Sequence, residues 1–446
     1  MSPPGRPKGD CRSAEREGTL VTPQGGVAPS SGELPRSAAV AMFLCFAFAY
    51  FLSALVRAVV ATLAPTFSAD LGLDAADLGL LAGAYFLGFA CVQLPLGTAL
   101  DRAGPKRVLL AFLSLAVIGC CLFALARSFA GLTAARALIG MGVGACLMAP
   151  MTCFRRRFST RAQMRATSWM LMTGSSGMVA STLPVQWLLP HLGWRGLFWL
   201  LAAMFALAML AIASVVPRDE PVPPLAVGTD RAAAGGYREV IRHPTFIRFL
   251  PMGFFHYGGL LALQSLWIGP WLSRVCGLTP HEAAQGLFAL NLAMLLAFLS
   301  WGALVPRLYG RGWTAQGLIA RGVPLSLVAL VLAVALGERS TTWLWTLFCI
   351  GSTVVSLAQP AIGQAFAPAL AGRALSAYNL AIFGGVFALQ WAMGGTIDLL
   401  TRAGWSTVSS FQGAFALLAL SCIASYLWFL WFDDHASHRV LPEAVA

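Results

Sequence analysis

Charged side chains are scarce in this chain: Asp, Glu, Lys and Arg together make up 11% of its 446 residues, against about a quarter in a water-soluble domain. A fold with so little surface charge needs lipid to cover its apolar exterior. Lysine is almost missing, Lys8 and Lys106 being the two in the chain. Nearly every positive charge is therefore an arginine, and with the heavy use of Ala, Leu and Gly this fits a GC-rich bacterial genome. The ten cysteines have no metal-ligand spacing. Cys45, Cys91, Cys120, Cys121, Cys146, Cys153, Cys349 and Cys422 fall inside apolar runs and read as small core residues, not as disulfides or metal ligands. No metal and no cofactor is expected.

Other absences narrow the function. The apolar runs hold no paired aspartates, no HExxH and no Ser/His constellation, so an enzyme is not expected. The net charge of +12 could suggest nucleic acid, but the basic residues stand between hydrophobic runs and no nucleic-acid motif occurs, so that partner is set aside. Residues 1–36, rich in Pro, Gly, Ser and charge, lack the early apolar stretch of a cleaved signal peptide. They are expected to form a disordered cytoplasmic tail, with the first span serving as an uncleaved signal.

What the chain does have is hydrophobic length: 58% of it is apolar. The apolar residues gather into runs of roughly 20, enough for a helix to cross a hydrocarbon core of about 30 Å. Twelve such spans are predicted, near 38–63, 78–100, 108–126, 132–154, 166–190 and 196–217, then 249–273, 283–306, 316–337, 342–368, 374–398 and 408–432. The fold class expected is an all-α integral membrane protein of twelve transmembrane helices in two pseudo-symmetric six-helix bundles. Its parts are a tail over 1–36, an N-terminal bundle over 37–217, a cytoplasmic linker over 218–245, a C-terminal bundle over 246–432 and a cytoplasmic tail over 433–446.

The basic residues orient this array. One set of connections, beginning with Arg102, Lys106 and Arg107, carries eighteen of them, and the other set carries Arg127, Arg195, Arg274, Arg339 and Arg402. The positive-inside rule then places both termini in the cytoplasm and the chain in the bacterial inner membrane. Sliding the sequence against itself by 205 residues superposes Pro65 on Pro270, Gly72 on Gly277, Gly97 on Gly302 and Arg102 on Arg307. Two like-oriented halves joined by a longer cytoplasmic segment suit a rocking transporter, in which a central site opens alternately to either side.

At the end of span 2 the chain reads Gly97-Thr-Ala-Leu-Asp101-Arg102-Ala-Gly104-Pro-Lys106-Arg107, which resembles the signature loop of the major facilitator superfamily. Arg136 with Gly140, Gly142 and Gly144 in span 4, Gly193-Trp194-Arg195 before span 6, and a decayed second loop copy from Gly302 to Arg311 extend the resemblance over residues 38–432. It implies that Gly97, Asp101, Arg102, Gly104 and Arg107 act as a conformational latch and that Arg136 takes part in proton coupling. Within the superfamily, Leu55-Val56-Arg57 with Ala61 and Pro65 is similar to a stretch of the organophosphate branch, where the arginine helps hold a phosphate. That branch carries a second arginine on span 7, whereas span 7 here offers His256 and Gln264. One guanidinium suits a monoanion such as a carboxylate. Span 5, from Thr173 to Ala180, lacks the Gly-Pro and paired Gly of many drug/proton antiporters.

An ionisable group in hydrocarbon costs about 3 kcal/mol or more, so each embedded charge needs a reason. Arg57, in the outer half of span 1, is the expected substrate counter-charge. Arg136, about one turn inside span 4, also reads as snorkelling or bonding a neighbouring helix. His256 in span 7 can change charge near neutral pH, and equally reads as a hydrogen-bonded core histidine. Asp398, at the outer end of span 11, is the acid that falls within a span. Tyr85, Gln264, Asn291 and Gln390 are uncharged polar residues near mid-membrane that could line a cavity and orient a substrate. The functional expectation is a secondary transporter that moves a small organic anion, with a co-transported proton carried by His256, Asp398 or the substrate, working as a monomer in the bilayer. The alternatives are an efflux carrier of the same fold or a transporter-like ligand sensor.

Overall fold

The computed structural model describes residues 35–217 and 236–437. Helices of these residues arise where apolar runs meet capping chemistry. Asp74 accepts from the Asp77 amide at 2.8 Å, Ser128 from the Gly131 amide at 3.2 Å and Thr314 from the Gly317 amide at 3.1 Å. Thr279 and Glu282 close a full capping box. Each cap satisfies amides that would otherwise be left without partners at a helix start.

The first half comprises α1 (Ser37–Leu71), α2 (Ala75–Leu100), α3 (Pro105–Leu125), α4 (Phe129–Arg155), α5 (160–192) and α6 (194–215). The second comprises α7 (Pro244–Val275), α8 (Pro280–Tyr309), α9 (Ala315–Arg339), α10 (Thr342–Ala365), α11 (Leu370–Arg402) and α12 (Thr407–Phe432). Eleven helices among the described residues are long and apolar enough to cross a bilayer. The twelfth span emerges at Gly193, whose φ of 62° breaks the helical run Leu183–Val215 and so separates α5 from α6. Helix α5 itself is interrupted at Thr182, where the backbone leaves helical geometry. No strand occurs among the described residues. The twelve spans expected from hydropathy are thus present in order, several of them longer: α1 continues through Pro65 to Gly72, which ends it in the left-handed conformation.

Residues 1–34, 218–235 and 438–446 are outside the described residues, and with them most of the two tails and the expected linker. The described end of that linker is a short helix, Tyr237–Arg242. Large apolar side chains cover the periphery, among them Leu44, Leu207, Leu210, Trp343 and Leu420, each more than half exposed or close to it. Such a surface suits lipid and not water.

Among the helix pairs on which the two halves meet are α2 with α11 and α1 with α7. Toward the face that bears the α1–α2 connection, these pairs touch backbone to backbone. A side chain at Gly79 would run into the Gln390 carbonyl, and one at Gly394 into the Ala75 carbonyl. Farther along, Phe383 packs against Phe89 with ring centroids 4.5 Å apart. Beyond that ring pair the helices part, and Gln93 of α2 and Asn379 of α11 face a shared cavity. The seam is therefore shut at one face and open toward the other, arginine-rich face.

Candidate functional site

The cavity between the halves has a volume of about 670 Å³, within the roughly 300–1,000 Å³ of small-molecule sites. Its floor is formed by Arg57, Met178, Gln264 and Asn291, its walls by Phe89, Phe298, Phe383 and several Leu and Met side chains. Among the described residues that line it there is no Asp, Glu or His.

Packing between α1 and α5 sets the floor. Gly177 lets α5 approach α1 so closely that a side chain there would meet the Phe51 carbonyl, and Thr62 donates to the Ser181 carbonyl at 2.9 Å. This places Met178 against Ala54 and Ala58, one turn from Arg57. The Arg57 guanidinium reaches the Met178 sulphur at 3.7 Å and shares the cavity lining with Tyr50. Tyr257 of α7 lines the same cavity from the other half. The Nε of Arg57 is buried without a partner.

Arg136 stands behind this site. It is fully buried, donates from Nη2 to the Arg57 carbonyl at 3.3 Å, and lies 5.0 Å over the Tyr85 ring. Its Nε and Nη1 are without partners. Neither arginine has a carboxylate partner among the described residues. The snorkelling reading of Arg136 is corrected, because a fully buried guanidinium reaches no interface. The picture of a lone guanidinium is corrected with it, since a second sits one layer behind. Two uncompensated cations in a low-dielectric interior create a field that favours an anion in the cavity.

Of the polar residues read as cavity-lining from the sequence, Gln264 and Asn291 are there. Gln264 donates to Asn291 Oδ1 at 2.7 Å, and Asn291 donates to the Leu287 carbonyl at 2.8 Å. Three others lie elsewhere. Tyr85 is buried and donates to the Ser53 carbonyl at 3.3 Å. Gln390 donates to Ser265 Oγ at 3.0 Å and so ties α11 to α7 within one half. His256 lies between α9 and α10, its Nε2 3.2 Å from the hydroxyls of both Ser326 and Ser352. All three are core residues that cross-link helices, because each points away from the gap between the halves. Three π-helical stretches in α7, Met252–Tyr257, Leu263–Trp267 and Trp271–Val275, shift the direction of successive side chains and put His256 and Gln264 in different surroundings.

The signature loop lies at the open face. Gly104, at φ 80°, turns the chain between α2 and α3, Arg102 and Arg107 are exposed, and nothing stands within 4 Å of a side chain at Gly97. The side chain of Asp101 lies outside the described residues. Lys106 donates to the Ala213 carbonyl at 2.7 Å and so fastens α3 to the end of α6. At the closed face, Asp398 near the end of α11 accepts from the amides of Ala75 at 3.1 Å and Ala76 at 2.7 Å, the first turn of α2. Arg274 donates to Ser68 Oγ at 2.7 Å, and Arg402 lies 3.7 Å from Asp74. These are bonds between the halves, and Asp398 meets the positive end of the α2 dipole.

Sequence reasoning missed Tyr50, Tyr257, Met178 and the pair Gln359 and Asn379, joined at 3.0 Å on the cavity wall. Their spacing on α1, α5, α7, α10 and α11 carried no signal, since lining is decided by which side of each helix faces the gap.

Comparison with known proteins agrees with this architecture. The family described as Major Facilitator Superfamily matches residues 46–390. The multidrug resistance protein MdtL of Escherichia coli O81 (strain ED1a) is 27% identical over 164 residues, 36% of this chain and 41% of that protein. MdtL of Escherichia coli O45:K1 (strain S88 / ExPEC) is 30% identical over 166 residues, with the same shares. The chain thus spans less than half the length of these curated relatives. A bacterial homolog of the human lysosomal transporter Spinster, in an inward-facing and unoccupied conformation, superposes with a TM-score of 0.73 at 17% identity, over 90% of this chain and 98% of that one. The D-xylose-proton symporter superposes with a TM-score of 0.71 at 13% identity, over 89% and 98%.

Proposed function

The chain belongs to the Major Facilitator Superfamily, and on that premise we propose that it carries a small organic anion, a carboxylate, across the membrane by alternating access, with Arg57 as the counter-charge. The observation that carries this reading is a guanidinium with no carboxylate partner among the described residues and with its Nε unsatisfied, at the floor of a cavity whose described lining holds no acid. A carboxylate could accept there in bidentate fashion, with Tyr50 and Tyr257 as further partners and the Phe, Leu and Met walls around an apolar body. Arg136 adds to the positive field and, through the Arg57 carbonyl, positions α1.

The arginine-rich face is the cytoplasmic one in this account, so the cavity is open to the cytoplasm and Asp398 helps shut the periplasmic side. Alternation exchanges which end of the α2–α11 seam is closed, and Asp101 near the end of α2 stands in the position that mirrors Asp398 near the end of α11. Neither His256 nor Asp398 touches the cavity, so a proton would travel with the substrate or act on the gates. The protein works as a monomer in this reading.

Export of drugs is the second reading. The likeness to MdtL over 36% of this chain favours it, as does a methionine-rich wall that can repack around different solutes. An exporter of cations would want an acidic cavity, which the described lining does not offer. Uptake into proteoliposomes separates the two: labelled monocarboxylic acids should be carried and a cationic dye should not. Transport of the dye with no movement of any acid would overturn the anion reading in favour of export.

A further inference from the structure

Two strong hydrogen-bond donors from opposite halves of the molecule converge on one poor acceptor. Arg57 Nη2 on α1 lies 3.7 Å from the Met178 sulphur, and Gln264 Nε2 on α7 lies 3.9 Å from the same atom. A thioether is a weak acceptor, so both donors are left short of what a carboxylate oxygen would give them. The Gln264 amide is also held in place, because its other bond goes to Asn291, itself fixed by the Leu287 carbonyl. Met178 is the free partner of the three. It packs on Ala54 and Ala58 in a small cluster apart from the main core, and its unbranched side chain can swing aside without disturbing that core.

We propose that Met178 is a placeholder for the carboxylate of the ligand. Its sulphur occupies the point where the two halves offer donors. An incoming carboxylate displaces it, accepts from the Arg57 guanidinium on one half and the Gln264 amide on the other, and draws the halves together at the cavity floor. Binding is thereby coupled to the movement that closes the open face, since the bridge is made only when both halves contribute. The inference rests on the cavity being an anion site.

The test places a carboxylate at that point without needing the natural ligand. In the full-length protein in detergent, Gln264→Glu puts an acid opposite Arg57. Because glutamate also gives up the bond to Asn291 Oδ1, the readout is the difference between backgrounds: the melting-temperature change from Gln264→Glu should be several degrees more favourable with Arg57 present than with Arg57→Gln. Met178→Ala vacates the point the sulphur holds, so the gain from Gln264→Glu should be larger in that background, where no side chain has to be displaced. Equal shifts from Gln264→Glu with and without Arg57→Gln would show that the donors do not share one site. A gain that depends on Arg57 but is the same with and without Met178→Ala would show that Met178 is not the placeholder. Either result overturns the proposal while leaving the anion reading to the uptake assay, which does not involve Gln264 or Met178.

Discussion

At the closed face, α2 and α11 meet backbone to backbone at Gly79 and Gly394, and one carboxylate, Asp398, accepts two amides across the boundary. At the arginine-rich face, the same two helices part at Gln93 and Asn379 and leave a cavity between them. The difference teaches how such a seam can be both tight and reversible. Small residues give shape-matched contact with no side chains to disentangle, and a few polar bonds at the rim fix the register. A seam held by large interlocked side chains would resist opening.

Three changes would break or sharpen this contrast. The largest effect is expected from Gly394→Leu, because its side chain meets the Ala75 main chain, which cannot move aside. Overpacking of about 1–3 kcal/mol would shift the balance between closed and open seam roughly 5- to 150-fold. Spin-label distances across that face should lengthen and transport should nearly stop, whereas Gly97→Leu at the open end, with nothing within 4 Å, should leave those distances unchanged. Next comes Asp398→Ala, which removes the acceptor of both α2 amides. Charge-assisted bonds at this half-buried rim are worth roughly 1–2 kcal/mol together after allowance for solvent. A partial lengthening of the same distances is expected, with Asp398→Asn between wild type and alanine. The smallest is Arg402→Ala: its pair with Asp74 is 3.7 Å long, with side chains 77% and 44% exposed, and such pairs contribute about 0.2–1 kcal/mol. The distances should stay within error. A larger shift from Arg402→Ala than from Asp398→Ala would mean that the rim is held by the ion pair and not by the capped helix end.

Much of the fold was legible because it follows from composition. Uncharged runs of the right length can do little else than span a bilayer, and the bias of arginines between connections is a strong orienting signal. Even α5, whose Thr173, Ser175 and Ser176 lower its apolarity, was legible as an uncharged run over 166–190. The site was legible in part. Arg57 stood out because a guanidinium at membrane depth must have a use, and Arg136 stood out for the same reason. Gln264 and Gln390 could not be told apart, since the same side chain on neighbouring helices faces the gap in one case and Ser265 in the other. Of the two readings of His256, the hydrogen-bonded core histidine is the one its serine contacts fit, and the irregular winding of α7 hid which of the two applied. Met178 gave no signal at all, as an inward-facing thioether reads like any lipid-facing methionine.

The central claim is that Arg57 meets the negative charge of the solute, and the most direct measurement is initial-rate uptake of a labelled monocarboxylic acid by proteoliposomes containing wild type, Arg57→Lys or Arg57→Gln. The account predicts that Arg57→Gln abolishes uptake and that Arg57→Lys retains a reduced rate, since an ammonium keeps the charge but not the bidentate geometry. Undiminished uptake in a correctly folded Arg57→Gln protein would contradict it.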